Sequence, residues 1–146
     1  LQAAIGLAQL KKLNRIINKR KQIRKQYDYS LTPLFKKNIL IKNVTQKNVY
    51  SSEYIYTILL NNKNKSSLRE KLVSYLKKNN ILTTVHYIPA NYHKFYKKKF
   101  KKFRVQNSDY FFNNVVSLPF HHNLSKKEII KVSNLIKNFF LNNEYF

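Results

Sequence analysis

No cysteine occurs in the chain, glycine occurs once, and only six residues are acidic. Each scarcity removes a class of function. Without thiols there are no disulfides and no thiolate metal sites, and the compartment stays open. With Gly6 as the only glycine, no glycine-rich phosphate loop or nucleophile elbow can be built. The carboxylates are Asp28, Glu53, Glu70, Asp109, Glu128 and Glu144. Two of them read as helix caps, which leaves too few for a hydrolytic triad or a carboxylate-assisted zinc site. No apolar run is long enough to span a bilayer, so no membrane partner is expected. The chain begins at Leu1 inside a helical pattern, so its true N-terminus is expected upstream.

Positive charge, by contrast, is abundant. The net charge is +23 and the pI about 10.2. Such a balance invites nucleic acid or an anionic surface as partner. Yet only Arg15, Arg20, Arg24, Arg69 and Arg104 are arginines, and lysine supplies the rest of the 29 basic residues. Specific nucleic-acid readers favour arginine forks. The richness in Lys, Asn, Ile, Tyr and Phe fits an AT-rich coding bias acting on exposed positions. The charge still attracts anionic ligands, more strongly at low salt. With 146 residues, 43% of them hydrophobic, the chain suffices for one domain with a real core.

The pattern along the chain predicts an α+β domain with long helices at both ends and a small mixed or antiparallel sheet between. Ala3, Leu7, Leu10, Leu13 and Ile17 form one helical stripe, so residues 1–26 read as one long helix. Its small residues Ala3, Ala4, Gly6 and Ala8 suit close approach of another backbone. Residues 28–50 read as irregular, with a turn at Thr32-Pro33 and extended pieces near residues 39–41. Residues 53–60, "EYIYTILL", have strand composition, and residues 61–65 read as a polar turn. Ser67 and Glu70 match a capping box opening a helix that faces Leu68, Leu72, Tyr75 and Leu76 inward and stops at Asn79-Asn80. Residues 81–88, "ILTTVHYI", read as a strand ended by Pro89, which together with the preceding pieces makes an α+β or βαβ unit. A helical turn is expected at Ser108-Asp109. Ser125 and Glu128 form a second capping box, opening a last helix with Ile129, Val132, Ile136, Phe139 and Phe140 inward.

The four histidines are His86, His93, His121 and His122. They lack the converging acidic partners of a metal site, and no metal is expected. "NYHKFYKKKFKKFR" at residues 91–104 interleaves aromatics with lysines, as base-stacking surfaces do. It equally suits a loop whose rings pack downward under solvated lysines. A basic RNA-binding module therefore stands as an alternative. His86 sits on the predicted strand, on the face of Thr84 and Ile88, where a histidine is either a structural hydrogen-bonding group or a ligand contact.

Four stretches together resemble the C-terminal part of the DegT/DnrJ/StrS-type sugar-nucleotide aminotransferases. They are "LQAAIGLAQLKKLNRIINKR", "SSEYIYTILL", "LKKNNILTTVHYIPANYHKFY" and "VVSLPFHHNLSKKE", in that order and across nearly the whole chain. The HYIP and SLP-x-H-x-NL pieces are most similar to the members that aminate a UDP-linked 4-keto hexose on the pseudaminic acid route.

The resemblance implies the small domain of a fold-type-I pyridoxal-phosphate enzyme over residues 1–146, with residues 1–26 as connecting helix. The implied protein is a cytoplasmic homodimer. It would move an amino group from glutamate to a keto-sugar nucleotide, for surface polysaccharide or flagellin glycan synthesis. His86 is then the leading substrate contact, with Tyr87, His93 and Tyr96 on the adjoining loop. The cofactor lysine and its partners belong to the large domain, so no residue here is expected to be catalytic or cofactor-binding, and this piece alone is expected to be inactive. Three positions depart from the family pattern: Asn80 stands for glycine, Tyr54 for histidine, and Asp109 for a glutamate. Such drift also fits a non-catalytic remnant.

Overall fold

Asparagine does the work of glycine at the helix ends. In the computed structural model, which describes residues 1–43, 48–62, 67–100 and 105–142, helix α2 (Leu13–Lys36) closes on Asn38 at φ 55°. The amide of Ile39 reaches back to the Leu34 carbonyl at 3.0 Å, and that of Asn38 to Phe35 at 3.0 Å. Helix α3 (Leu68–Lys78) ends the same way: Asn80 takes φ 60°, and Ile81 bonds to Leu76 at 2.9 Å. Both are left-handed caps with an apolar residue returning to the core, a conformation asparagine tolerates better than other side-chain-bearing residues. Gly6 lies inside helix α1 (Gln2–Leu10), where an added Cβ would meet nothing.

The expected long first helix is two helices, α1 and α2, separated by a turn at residues 11–12. The expected turn at Thr32-Pro33 does not form. Helix α2 runs through it, because Leu31 and Leu34 on that turn are buried and outweigh the one hydrogen bond that Pro33 cannot donate. The described part of the sheet has three antiparallel strands in the order β1 (Leu40–Ile41), β2 (Tyr56–Leu60), β3 (Val115–Leu118). The βαβ alternative is corrected, since its second strand, residues 81–88, forms no strand and contributes one bridge, Thr84 to Ser117; β2 and β3 pair antiparallel with Thr57 opposite Ser117. Tyr56, Ile58 and Leu60 alternate into the core, as a half-buried strand requires. They meet Tyr27 and Leu31 of α2, Leu72 and Leu76 of α3, and the inward stripe of helix α6 (Lys126–Asn142). All five residues expected on that stripe are buried.

Of the two expected capping boxes, one forms. Ser125 and Glu128 bond reciprocally, amide to carboxylate at 2.8 Å and amide to hydroxyl at 3.3 Å. These bonds hold the Glu128 carboxyl below its ordinary pKa. Ser67 makes no side-chain cap bond, because its backbone is already helical and Glu70 is taken by Arg69 at 2.6 Å. Helix α5 (Gln106–Asn114) starts before the expected Ser108-Asp109 turn. The polar turn at residues 61–65 and the end of the basic stretch at 91–104 lie partly outside the described residues.

Two tyrosines join the helical layer to the sheet. Tyr27 stacks on Tyr56 with ring centroids 4.9 Å apart, and its hydroxyl donates to the Pro119 carbonyl at 3.0 Å. The Tyr56 hydroxyl donates to Asp28 at 2.8 Å. Burial, with the Glu128 charge adding, raises the Tyr27 pKa; burial, then the Asp28 carboxylate, raises that of Tyr56. A phenol raised on folding stabilises the fold fully below the unfolded value of about 10 and loses that contribution as pH climbs. Urea unfolding is therefore expected to show stability falling above about pH 10, by about 1.4 kcal/mol per pH unit for each of the two phenols. Tyr56→Phe should remove one such share of the slope; parallel losses in wild type and variant would contradict the assignment.

Candidate functional site

Residues 81–88 do not form the expected strand. One residue, Thr84, pairs with Ser117 at the free edge of β3, through Ser117 N–H to Thr84 O at 2.8 Å and Thr84 N–H to Ser117 O at 3.2 Å. The rest of the segment finds no partner ladder, and Leu82 and Tyr87 stay 77% and 66% exposed. The strand-like composition is there, but the described residues supply no second layer to bury it.

That single pairing sets the place of His86, two residues on. Its Nδ1 lies 2.8 Å from the Ser117 hydroxyl. The edge of the Tyr87 ring meets the imidazole at 4.6 Å between centroids. Ser117 is 3% exposed, while His86 is partly open. Pro89 is buried and turns the chain into a short 3-10 segment (Ala90–Tyr92) and helix α4 (Lys94–Lys99). His93 is exposed at the start of α4 and makes no capping bond.

Tyr96 faces a cavity of about 250 Å³ with Asn91, Phe100, Val105 and Ser108. Its ring lies near Phe95 and parallel to Phe100, at 5.3 and 6.5 Å. The structure thus joins His86 to Tyr87 and sets Tyr96 in a separate cavity on the same loop. Among the described rings of that stretch, Tyr92 meets Phe112 at 5.8 Å yet is itself 36% exposed, so the alternative of rings packed downward is not met by the described residues. Phe95, Tyr96 and Phe100 are exposed.

Two features went unseen in the sequence. Ser117 is one; nothing local marks it, since its partner is 31 residues away. The other is the pair of Arg24 and Glu53, bonded at 3.0 and 3.2 Å beside a cavity of about 470 Å³. Glu53 is buried with φ 49°. Lys42 and Asp28, 3.1 Å apart, line the same cavity. The scarcity of acids was the only available hint that each would be engaged.

Among the described residues no group of His, Asp or Glu is placed to hold a metal. None of the lysines described is buried; the buried polar residues are Glu53, Asn114, Ser117 and Ser133. An aldehyde cofactor held by an enclosed lysine therefore does not fit the described residues. No described helix is long and apolar enough to cross a membrane.

The DegT/DnrJ/EryC1/StrS aminotransferase family model matches residues 1–137. Over 126 residues the chain is 34% identical to the UDP-4-amino-4,6-dideoxy-N-acetyl-beta-L-altrosamine transaminase of Campylobacter jejuni, covering 86% of this chain and 32% of that protein. Helicobacter pylori PseC, an aminotransferase of pseudaminic acid biosynthesis, superposes with a TM-score of 0.79 at 26% identity, over 97% of this chain and 37% of PseC. The sugar aminotransferase Spr1654 of Streptococcus pneumoniae, solved in PLP and PMP forms, gives 0.80 at 26% identity over 94% of this chain and 34% of its own. The chain spans about a third of the length of the curated relatives it matches.

Proposed function

The chain belongs to the DegT/DnrJ/EryC1/StrS aminotransferase family, and from that premise we propose that it is the small lobe of a sugar-nucleotide aminotransferase. The whole enzyme moves an amino group from glutamate to a UDP-linked 4-keto hexose, for surface polysaccharide or flagellin glycan. Pyridoxal phosphate supplies the electron sink for that exchange when bound. The part of the protein that holds it corresponds to the two-thirds of the relatives' length lying outside the match. Residues 1–146 are the small domain, and the enzyme works in the cytoplasm as a homodimer.

His86 is the observation that carries the reading. Its imidazole stands at the sheet edge, anchored through Nδ1 on the Ser117 hydroxyl, in a residue that stays partly open, which suits a ligand oxygen at Nε2. Tyr87, His93 and Tyr96 are the secondary substrate contacts on the adjoining loop. The connecting helix fits the same picture. Ile5, Leu7, Leu10 and Leu13 are exposed on α1 and at the start of α2. An apolar face of that kind seats against the larger lobe.

The exposed rings of Phe95, Tyr96 and Phe100 also suit base stacking, the one observation that favours a nucleic-acid module. One experiment separates the two. This chain is grafted in place of the matching third of the Campylobacter jejuni transaminase and titrated with a UDP-hexose and with single-stranded RNA by calorimetry. Saturable heat with the nucleotide sugar that survives moderate salt is expected. A folded graft that binds RNA but gives no heat with the sugar nucleotide would defeat the reading.

A further inference from the structure

We infer that Ser117 is a positioning residue, whose hydroxyl decides which ring nitrogen of His86 carries the proton and so presents Nε2–H as a donor to a ligand oxygen. A serine hydroxyl has one proton to give and two lone pairs to accept with. Ser117 is 3% exposed, and the partner the structure gives its hydroxyl is His86 Nδ1, at 2.8 Å. A buried O–H left without an acceptor costs more than an idle lone pair. The hydroxyl therefore donates, Nδ1 accepts, and the neutral imidazole carries its proton on Nε2.

The hydroxyl cannot drift from that duty. The Ser117 amide and carbonyl are both bonded to Thr84 on one side. On the other side its strand is in register with β2, opposite Thr57. Thr84 fixes the chain two residues before His86, and the edge of Tyr87 at 4.6 Å limits rotation of the ring. The result is a rigid donor that takes an acceptor oxygen, such as a sugar ketone, hydroxyl or phosphate, and disfavours an ammonium group. The identity of that oxygen rests on the reading of His86 as a nucleotide-sugar contact; the fixed tautomer does not.

The test is a long-range proton–nitrogen NMR spectrum of the 146-residue chain labelled with ¹⁵N-histidine, taken at a pH high enough that the signals no longer move. The His86 pattern is the one that His86→Asn removes. A pure Nε2–H pattern is expected in wild type, a tautomer-averaged one in Ser117→Ala, and the wild-type pattern again in Ser117→Thr. An Nδ1–H pattern in wild type, or no change in Ser117→Ala, overturns the inference. Should Ser117→Ala fail to fold, the wild-type spectrum decides alone. In the graft, Ser117→Ala is expected to weaken UDP-hexose binding about three- to tenfold. It should add nothing further to the loss caused by His86→Ala; additive losses overturn a positioning role. If the tautomer is as expected but His86→Ala leaves the affinity unchanged, the positioning stands and the substrate reading fails.

Discussion

Tyr27→Ala is expected to lower the unfolding free energy of the chain by about 4 kcal/mol, the range for deleting a large buried aromatic. Tyr27 has no exposed surface, stacks on Tyr56 and bonds to the Pro119 carbonyl. Its ring therefore joins α2 to the central strand, and its hydroxyl holds the turn just beyond Ser117 and Leu118. A domain of this size has about 5–15 kcal/mol in total, so the loss consumes much of it. Tyr27→Phe keeps the stack and removes only the hydroxyl, and about 1 kcal/mol is expected there. Urea midpoints at neutral pH measure both. An alanine variant within about 1 kcal/mol of wild type would mean that the two layers do not meet through this ring.

The second large effect belongs to the site. In the graft, His86→Ala is expected to lower kcat/KM about 10- to 100-fold, the worth of a hydrogen bond to a charged or strongly polar ligand oxygen. His93→Ala, whose ring is exposed and makes no capping bond, should cost less than about threefold. His93→Ala should unfold with the same midpoint as the parent, whereas His86→Ala should cost about 1 kcal/mol, because it takes away the acceptor of the buried Ser117 hydroxyl. Equal activities of His86→Ala and the parent would remove His86 from the pocket.

What could be read from the sequence was local. The Ser125–Glu128 box and the 3.6-residue stripe from Ile129 to Phe140 are properties of one turn and one face, and both appear as expected. The stop at Asn80 was legible for the same reason, since asparagine accepts the left-handed conformation on its own account. The first capping box failed because a neighbour, Arg69, competed for Glu70. Pro33 misled because propensity marks it as a breaker while the buried neighbours that overrule it are known only in three dimensions.

The site divides along the same line. His86 stood out in the sequence as a histidine among aromatics beside a proline. Its strand did not form, since strand composition needs a facing layer that the described residues do not supply. Its partner Ser117 was invisible, as was the Arg24–Glu53 pair 29 residues apart. Pairing at the edge of β3 brought Ser117 to His86, and packing of α2 against the segment before β2 brought Arg24 to Glu53; both are properties of the folded chain.

The central claim is that this chain shapes the sugar-nucleotide side of a transaminase whose cofactor is held elsewhere. Amination tests it most directly. The graft is incubated with pyridoxal phosphate, glutamate and a UDP-linked 4-keto hexose, and the nucleotide sugar is weighed by mass spectrometry. The account predicts the mass of the amino sugar from the graft and none from the 146-residue chain alone. A folded graft that retains the cofactor and leaves the keto sugar unchanged, beside a parent enzyme that converts it, would contradict the account.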